Sequence, residues 1–374
     1  MRVAIVTESF FPHVNGVTNT VRHTVDRLLE AGHEALVVAP GPGLSSYRTA
    51  RVVRVRSMRL PAYRSFALGL PDAAVERALT GFRPDVVHLA SPIALGAVGL
   101  RAARRLGVPT VAVYQTDIGG FARQYGIPAD AAIDRWVGRI HRKASRTLVP
   151  STTSYAQLEA LGVHDLHLWR RGVSLDLFGP DRRSRGLHDH WTRRHPDHVV
   201  VGYVGRLAAE KQVRRLTEIA SIPGIRLVVV GDGPARSWLQ KRLPEAKFTG
   251  MLRGTDLARA FASLDVFVHT GEAETFCQTV QEAQASGVPV VAPAAGGPLD
   301  LVDHGRTGLL FDPSDRRSLR RTVSGLVHDA SLRAVLSTAA LGAVTGRSWA
   351  SVVDELVEVH YAAVTYSPGL PAAA

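Results

Sequence analysis

Two carboxylates, Glu274 and Glu282, bracket a predicted helix within residues 271–292. Thr275 is predicted to cap this helix and Gly287 to end it, which places Glu274 at the positive end of the helix dipole. Eight helical residues would set the two acids on about the same side and about 12 Å apart. Carboxylates at this separation could accept hydrogen bonds from the hydroxyl groups of a carbohydrate ligand. The spacing alone favours the alternative, an amphipathic helix with solvated acids.

A second group of candidate residues consists of two cations that follow a predicted buried strand. Arg206 and Lys211 lie in V-G-R-L-A-A-E-K, directly after the strand predicted over residues 199–204. Two cations at the carboxyl end of a strand could bind a diphosphate and stabilise the charge that develops on it as it leaves. Solvated surface charges are the alternative, but the position at a strand end favours a ligand site.

Glycine turns form a third group of candidates. Asn15 and Gly16 follow the strand predicted over residues 3–6 and precede a helix that opens near Thr18. Backbone N–H groups at such a turn can approach a phosphate, although a turn that only connects two elements fits equally well. The G-D-G-P turn at residues 231–234 leaves the same two alternatives open. Neither turn is G-x-G-x-x-G, which argues against an ordinary dinucleotide site.

Few residues suggest a disulfide or a metal site. The one cysteine, Cys277, excludes an internal disulfide and is typical of a reducing compartment. No Asp-x-Asp pair occurs, and the histidines of residues 188–198 come without a helix or strand frame, so no metal is expected.

No apolar run reaches the roughly 18 to 20 residues of a membrane span, and no signal-peptide pattern begins the sequence. We therefore expect a cytoplasmic protein.

The net charge of +12 is concentrated in the first half of the chain, where residues 1–180 hold 22 basic and 13 acidic side chains, a difference of +9. A strongly basic first half suggests an anionic partner, such as nucleic acid, phospholipid headgroups or a phosphorylated substrate. Helix-turn-helix, zinc-finger and RNP-like patterns are missing from the sequence, so nucleic acid is not expected. Residues 51–70 mix arginines with apolar residues, and they either rest on an anionic membrane or form an edge strand with solvated arginines.

Short β-branched runs alternate with helical segments along both halves of the chain, which predicts an α/β protein with parallel sheets. We expect two Rossmann-like domains, residues 1–180 and 181–348, facing a central cleft. A linker is expected within residues 170–196. Residues 349–374 are expected to form a helix that packs back on the first domain, followed by a loose tail.

Several motifs together resemble the retaining glycosyltransferases of family 4, which have the GT-B fold. They are N-G-V, V-G-R-L-x-x-E-K, G-D-G-P and the E-x-F…E-A-x-A-x-G-V-P-V-V-A run, and the resemblance extends from residue 3 to about residue 312. The segments E-T-F-C-Q-T-V-Q-E-A, Y-Q-T-D-I-G-G-F-A-R-Q-Y-G and L-W-R-R-G-V resemble bacterial GDP-mannose-dependent α-mannosyltransferases of membrane glycolipids. This resemblance implies metal-independent transfer of mannose to a lipid or glycolipid acceptor, with retention of configuration.

The same resemblance implies roles for individual residues. Arg206 and Lys211 would bind the donor diphosphate, Glu274 the donor sugar and Glu282 the ribose. Gly16 would offer a backbone N–H to the diphosphate. The further donor-binding residues that it implies are Asn15, Phe276 and Cys277. No cofactor is implied beyond the nucleotide-sugar donor.

On the acceptor side, Gln115 stands where many relatives have histidine. Glutamine cannot act as a base, so Asp117 is the nearest titratable substitute. The expected partners are a nucleotide sugar, a lipid acceptor and the inner face of an anionic membrane. Two other kinds of protein remain as alternatives. One is a UDP-glucose-type glycosyltransferase or a sugar-nucleotide epimerase on the same fold, and the other is a non-catalytic, basic nucleic-acid-binding protein.

Overall fold

The computed structural model describes residues 1–13, 15–60, 63–193 and 195–366. The chain divides into two compact units, one formed by Met1–Arg171 together with the segment from Trp349, and the other by Gly172–Ser348. The boundary therefore lies after Arg171 and not after residue 180. Residues 172–180 belong to the second unit because Val173 and Phe178 pack in its hydrophobic core.

The first unit is built on an eight-stranded sheet. The strands of this sheet are β1 (Arg2–Thr7), β2 (Glu34–Pro40), β3 (Ser46–Tyr47), β4 (Ala50–Val55), β7 (Val86–Ala90), β8 (Thr110–Val113), β9 (Arg146–Val149) and β10 (Leu166–Leu168). Two further strands, β5 (Ser57–Leu60) and β6 (Tyr63–Gly69), form a separate antiparallel ribbon. The order is β10-β9-β8-β7-β1-β2-β4-β3, and every pair is parallel except β3 with β4. Both faces of β1 are covered, which explains its continuous apolar run.

Helices cover both faces of this sheet. They are α1 (Gly16–Glu30), α2 (Ala73–Phe82), α3 (Leu95–Arg105), α4 (Ile118–Gln124), α5 (Asp130–His141) and α6 (Thr152–Ala160). Side chains cap several of them. Asp72 accepts from the N–H of Ala74 at the start of α2, and Ser151 accepts from the N–H of Ser154 at the start of α6. Such caps satisfy N–H groups that the first turn leaves unpaired.

Residues 51–70, the predicted membrane segment, begin inside the sheet. Val52 and Val55 of β4 are buried, and the guanidinium of Arg54 donates to the carbonyl of Phe11 at 2.7 Å and to that of Leu44 at 2.8 Å. Arg54 thus fastens neighbouring loops and does not project as a solvated cation. The part of the segment at residues 61–62 lies outside the described residues.

The second unit contains a six-stranded, wholly parallel sheet in the order β13-β12-β11-β14-β15-β16. Its strands are β11 (Val199–Val204), β12 (Ile225–Val230), β13 (Lys247–Gly250), β14 (Val266–Val268), β15 (Val290–Pro293) and β16 (Gly308–Phe311). Its helices are α7 (Arg185–Thr192), α8 (Arg236–Arg242), α9 (Gly254–Ala262), α10 (Gln278–Ala285), α11 (Pro298–Leu301), α12 (Ser318–His328) and α13 (Ala330–Val344). Short 3-10 segments are Pro180–Arg182, Ala209–Lys211 and Val213–Glu218. The prediction of two Rossmann-like α/β domains with parallel sheets is confirmed.

The chain passes from the first unit to the second within the predicted linker, after Arg171, but residues 172–193 belong to the folded second unit and are not a solvated linker. Helix α7 runs through it, and Trp191 is buried in the core of the second unit. His188, expected in a solvated stretch, lies with its Nε2 2.9 Å from a carboxylate oxygen of Asp265. The apolar residues that anchor this stretch are widely spaced, so they produce no helical or strand periodicity in the sequence.

The last described segment returns to the first unit. It consists of α14 (Trp349–Glu355), a π-helical stretch (Leu356–Tyr361) and α15 (Ala362–Thr365). Arg27 of α1 forms a bidentate pair with Asp354 at 2.7 and 2.8 Å, and Trp169 donates to the carbonyl of Val352. The tail that was expected to be loose lies outside the described residues. Among the described helices, none has the length and apolar character needed to cross a membrane.

Candidate active site

The strand order of the second sheet reverses between β11 and β14. Strands β11 and β14 pair with each other in parallel; β11 pairs with β12 on its other side, and β14 pairs with β15 on its other side. Open α/β sheets bind ligands at the carboxyl ends of the strands at such a reversal. The loops that follow β11 and β14, residues 205–212 and 269–277, therefore form the candidate site of this unit.

The loop after β11 carries the two predicted cations. The side chain of Arg206 is 39% exposed, and its Nη1 lies 3.7 Å from Oε1 of Glu210 in the same loop. Lys211 lies deeper, at the end of the 3-10 turn Ala209–Lys211, and its backbone carbonyl accepts a hydrogen bond from the hydroxyl of Thr270 at 2.7 Å. This bond fastens the cationic loop to the loop after β14.

Glu274 is the centre of a buried charge cluster. Its Oε1 accepts a hydrogen bond from Nζ of Lys211 at 2.6 Å and lies 3.1 Å from Nε2 of His269. Burial alone would raise the pKa of Glu274, but Lys211 and His269 lower it to about 2. Burial also opposes a charged imidazole, yet Cys277 and Glu274 beside the ring raise the pKa of His269 to about 10. At neutral pH the cluster therefore holds a carboxylate beside two cations.

Three of these side chains have atoms of the types that bind metal ions. Ligand atoms of His269, Glu274 and Cys277 lie within 4.8 Å of one another. The ammonium group of Lys211 already lies against the Glu274 carboxylate, and a metal ion there would be repelled at short range. The cluster is better suited to a neutralised carboxylate that accepts hydrogen bonds from hydroxyl groups.

Helix α10 begins later than predicted. It begins at Gln278, and Thr275 does not cap it. Cys277 precedes the helix with a left-handed backbone, at a φ of 83°. The backbone carbonyl of Glu274 accepts a hydrogen bond from the N–H of Gly297 at 2.7 Å in place of a helical partner. The predicted placement of both acids on one helix is therefore wrong, because residues 274–277 are not helical.

Two glycines after β15 hold the loop in this non-helical form. A side chain on Gly297 would collide with the backbone of Phe276, and one on Gly296 would collide with the backbone of Glu272 and Glu274. Backbone atoms cannot move aside as the end of a flexible side chain does. Residues 294–299, A-A-G-G-P-L, therefore support the shape of the loop that carries Glu274, which their sequence alone did not indicate.

The other side chains of this loop differ in their surroundings. Phe276 is 1% exposed and Cys277 is 5% exposed, and the Sγ of Cys277 lies 3.6 Å from the hydroxyl of Thr279. Glu272 pairs instead with Arg215, at 3.5 Å. Phe276 and Cys277 thus shape the loop from within, whereas the carboxylate of Glu272 is directed to a cation outside the charge cluster.

Glu282 lies within α10 and is half-buried. Among the described residues, its carboxyl group has no hydrogen bond or ion pair. Burial raises the pKa of Glu282 to about 8. This acid therefore differs from Glu274, whose charge is fully neutralised within the protein. A partly accessible carboxyl group without a protein partner is free to bind an incoming polar group.

The G-D-G-P turn packs against the cationic loop. Gly231 and Gly233 have φ values of 136° and 156°, and side chains on them would collide with the carbonyl groups of Gly205 and Leu207. The N–H of Leu207 donates to the carbonyl of Asp232 at 2.9 Å. The glycines of this turn are thus needed to support the loop after β11, whether or not a ligand is bound.

In the first unit, the strand order reverses between β1 and β7. Asn15 caps α1, with its Oδ1 accepting from the N–H of Thr18 at 2.9 Å and its Nδ2 donating to the hydroxyl of Ser9 at 2.8 Å. Gly16 is the first residue of α1, and a side chain on it would come within 3.1 Å of Nη1 of Arg171. Arg171 is 8% exposed. A buried guanidinium thus adds positive charge near the positive end of this helix.

The predicted acceptor-side residues follow β8. Gln115 is 5% exposed, and its Oε1 accepts from Nη2 of Arg171 at 3.4 Å. Asp117 caps α4, where its Oδ1 accepts from the N–H of Gly120 at 2.7 Å, and its Oδ2 lies 3.8 Å from Arg123. The structure thus links Gln115 to the start of α1 through Arg171, whereas Asp117 is engaged with α4.

Three residues at these edges were not predicted: Glu8, Arg171 and His269. Glu8 is 2% exposed, and its Oε1 accepts from the N–H groups of Ile93 and Gly96, both at 2.9 Å. Glu8 and His269 come directly after β1 and β14. The rule that polar groups gather at the carboxyl ends of parallel strands could have identified both. Arg171 offered no comparable signal, because it lies three residues beyond the end of β10.

Two models of glycosyltransferase families match the chain. Glycosyltransferase Family 4 matches residues 14–177, and Glycosyl transferases group 1 matches residues 189–341. The two matches fall on the two units in turn. Each covers most of one Rossmann-like unit.

Curated relatives match over nearly the whole chain. A GDP-mannose-dependent alpha-mannosyltransferase of Mycobacterium tuberculosis is 52% identical, with 97% of each chain covered. An enzyme of the same name from Corynebacterium glutamicum is 43% identical, with 97% of this chain and 89% of that protein covered. An alpha-monoglucosyldiacylglycerol synthase of Acholeplasma laidlawii is 24% identical, with 84% of this chain and 86% of that protein covered.

A solved structure has the same fold. The Anabaena protein Alr3699/HepE in complex with UDP superposes with a TM-score of 0.77 at 20% identity, with 96% of this chain and 99% of that chain covered. The predicted resemblance is thus confirmed. The chain belongs to the retaining glycosyltransferases of family 4.

Proposed function

We propose that this enzyme transfers an α-mannosyl group from GDP-mannose to a lipid or glycolipid acceptor at the cytoplasmic face of a membrane, with retention of configuration and without a metal ion. The observation that carries the proposal is the 52% identity to a GDP-mannose-dependent alpha-mannosyltransferase over 97% of both chains. The charge cluster around Glu274 supports it, since a neutralised carboxylate is suited to hold sugar hydroxyl groups.

The donor diphosphate is proposed to bind Arg206 and Lys211. Arg206 is 39% exposed and so can reach a ligand, and Lys211 of the same loop lies against the Glu274 carboxylate. As a separate assignment within the first unit, the turn at Asn15 and Gly16 is proposed to offer backbone N–H groups and the positive end of α1 to a phosphate. These groups supply the charge compensation that a metal ion supplies elsewhere.

The sugar and the nucleoside are proposed to bind two different carboxyl groups. Glu274 accepts hydrogen bonds from the mannose hydroxyls, and the buried Phe276 and Cys277 hold its loop in shape. Glu282, which has no partner among the described residues, accepts from the ribose. The raised pKa of Glu282 falls when a ligand donates hydrogen bonds to its carboxylate form.

In the reaction, the bond between the mannose anomeric carbon and the diphosphate oxygen breaks while the acceptor oxygen bonds to the same face of that carbon. The acceptor proton passes to the departing diphosphate. Negative charge therefore grows on the diphosphate in the transition state, where Arg206 and Lys211 stabilise it more than in the ground state. Gln115 cannot take the proton, and Asp117 is proposed to contact the acceptor through its exposed part.

The lipid acceptor is supported by the name of the Acholeplasma laidlawii relative, a synthase of a monoglucosyldiacylglycerol, and by the +9 charge of residues 1–180. The proposed lipid acceptor can be tested separately from the proposed donor, because the two proposals depend on different residues in different units.

The test is a donor panel read by thermal shift and by transfer. GDP-mannose is expected to raise the melting temperature and to support transfer to a detergent-dispersed glycolipid extract, whereas UDP-glucose and UDP are not. A shift with UDP-glucose alone would favour the UDP-sugar alternative, and salt-sensitive binding of DNA or RNA without transfer would favour a nucleic-acid-binding protein. Full transfer after addition of EDTA is expected, and its loss would refute the metal-free mechanism.

A further inference from the structure

Helix α5 of the first unit has an outward surface of unusual composition. Arg135 and Arg139 are four residues apart on this helix and Trp136 is three residues before Arg139, so these three side chains lie on adjoining parts of one side. Lys143 follows two residues after the end of the helix, and we call the four residues together the α5 face. All four are exposed, and Trp136 is 40% exposed. The opposite side of the helix packs into the unit through Val137 and Ile140, which are 5% and 3% exposed. The helix is thus amphipathic with a basic and aromatic outer side.

Two further large apolar side chains are exposed in the short connection between α4 and α5. Tyr125 is 42% exposed and Ile127 is 39% exposed. Among the described residues, Trp136 is the one exposed tryptophan, since Trp169, Trp191 and Trp349 are buried and Trp238 is half-buried. Large exposed apolar side chains that stand singly need no explanation, but three within twelve residues of chain do.

The charge of the α5 face is not neutralised by the protein. Asp130 and Asp134, the acids of this helix, both lie near Arg123 of α4, at 3.7 and 2.7 Å. Arg135, Arg139 and Lys143 have no carboxylate partner among the described residues. The face therefore presents cations and aromatic rings together, without an acid, which is the composition of helices that lie in the interface of an anionic bilayer.

The position of the α5 face suits an enzyme whose acceptor is a lipid. The Nε1 of Trp136 donates to the carbonyl of Ile93 at 2.9 Å, and the N–H of Ile93 donates to Glu8, which follows β1. The face thus begins beside the carboxyl edge of the first sheet, where Gln115 also lies. We propose that the α5 face docks this enzyme on an anionic lipid bilayer, with Trp136 in the headgroup region. The proposal rests on the lipid acceptor proposed above, and it places the docking surface on α5 and not on residues 51–70.

Co-sedimentation with vesicles tests the docking surface directly. Wild-type protein at low salt is expected to bind vesicles that contain phosphatidylglycerol and not vesicles of phosphatidylcholine alone. The double variant Arg135→Glu/Arg139→Glu is expected to lower binding roughly tenfold or more, because four units of charge change at the surface. The matched control is Arg101→Glu/Arg104→Glu, which makes the same change on exposed residues of α3 and is expected to bind like the wild type.

Trp136 gives a second, independent measurement. Its fluorescence is expected to shift to shorter wavelength on vesicle binding, and Trp136→Phe is expected to abolish that shift. Equal binding to both kinds of vesicle, an α5 variant that binds like the wild type, or salt-sensitive binding to RNA without vesicle binding would each overturn the proposal. The thermal shift with GDP-mannose is measured on the same samples and should be unchanged in both double variants. A lost docking surface and a mistaken donor are therefore told apart.

Discussion

The carboxyl edges of the two sheets are built on similar strand orders but use their polar groups differently. At the edge of the second sheet, Lys211 and His269 surround Glu274, and Glu282 has no protein partner among the described residues. At the edge of the first sheet, Asp117 accepts a hydrogen bond from a helix N–H group, and Glu8 accepts from N–H groups at and before the start of α3. The first edge uses its acids to hold loops in place, whereas the second keeps charged groups available to a ligand. Acids of the second edge should therefore affect donor use far more than acids of the first.

The largest effect is expected for Glu274→Gln. The substitution leaves Lys211 and His269 as buried cations without their carboxylate, so the free energy of unfolding should fall by about 3 kcal/mol. Turnover should fall roughly 100-fold or more, because the sugar contact is lost as well. Urea unfolding and a transfer assay measure both. Glu272→Gln is the control, since that acid pairs with Arg215 outside the cluster and should change either quantity little. Similar losses in the two variants would contradict the assigned role of Glu274.

The next effect concerns pH and Glu282. Burial raises the pKa of this acid to about 8, so below pH 8 it is mostly protonated in the free enzyme. If its carboxylate binds the ribose, affinity for GDP should rise about tenfold per pH unit as the pH increases towards 8, and it should level off above pH 8. Calorimetric titration from pH 6 to pH 9 measures this rise, and Glu282→Gln should give a flat profile.

The same raised pKa carries an opposite effect on stability. The folded protein holds the proton of Glu282 more tightly than the unfolded chain does, so the free energy of unfolding should decrease as pH rises from about 4.5 towards 8. Glu282→Gln should remove this decrease. A wild-type stability that increases over the same interval relative to the variant would show that the carboxylate is already paired in the folded state.

A smaller effect is expected for His269→Gln. The pKa of His269 is raised to about 10, so the stabilisation from its charged ring is fully present below the unfolded pKa near 6.5 and is lost as pH rises through 10. At pH 7 the variant should be less stable by about 2 kcal/mol, with a smaller loss of turnover than in Glu274→Gln. Unfolding curves at pH 7 and pH 10 test this, since the two proteins should converge at the higher pH. A constant difference would indicate a loss of packing alone.

The smallest effect is expected for Asp117→Asn in the first unit. Asparagine also caps helices well, so the start of α4 should be preserved. Turnover should fall less than about tenfold, and GDP-mannose affinity should not change. Steady-state kinetics at varied acceptor concentration measures the change in turnover. A 100-fold fall in kcat at an unchanged melting temperature would make Asp117 a proton-transfer group and would narrow the contrast between the two edges.

Much of the fold was predictable because parallel strands buried on both faces leave a clear pattern. The strands at Val199–Val204, Thr110–Val113 and Gly308–Phe311 begin and end where their apolar runs do. The start of α10 was not predictable in this way. It depends on a hydrogen bond between Glu274 and Gly297, residues far apart in sequence, and on the left-handed backbone of Cys277.

The candidate site was predictable in its residue types but not in its arrangement. Lys211 and Glu274 were both identified from motifs, yet the 2.6 Å contact between them depends on β11 and β14 being neighbours in the sheet. The sequence predicts a strand over residues 266–269, so His269 was counted as part of that strand and not as a site residue, whereas the strand ends at Val268. Arg171 could not be identified from the sequence, because its hydrogen-bond partner Gln115 lies on a different loop, 56 residues away in the chain.

The return of the C-terminal segment to the first unit has a consequence for synthesis on the ribosome. Val352, Leu356 and Tyr361 complete the same apolar cluster as Val3 and Ile5 of the first strand. The first unit therefore cannot complete this core until Tyr361 has been made, whereas the second unit is continuous in sequence and can fold as soon as it emerges. During translation the first unit stays with part of its core uncovered, and a truncation that removes Val352, Leu356 and Tyr361 removes part of that core.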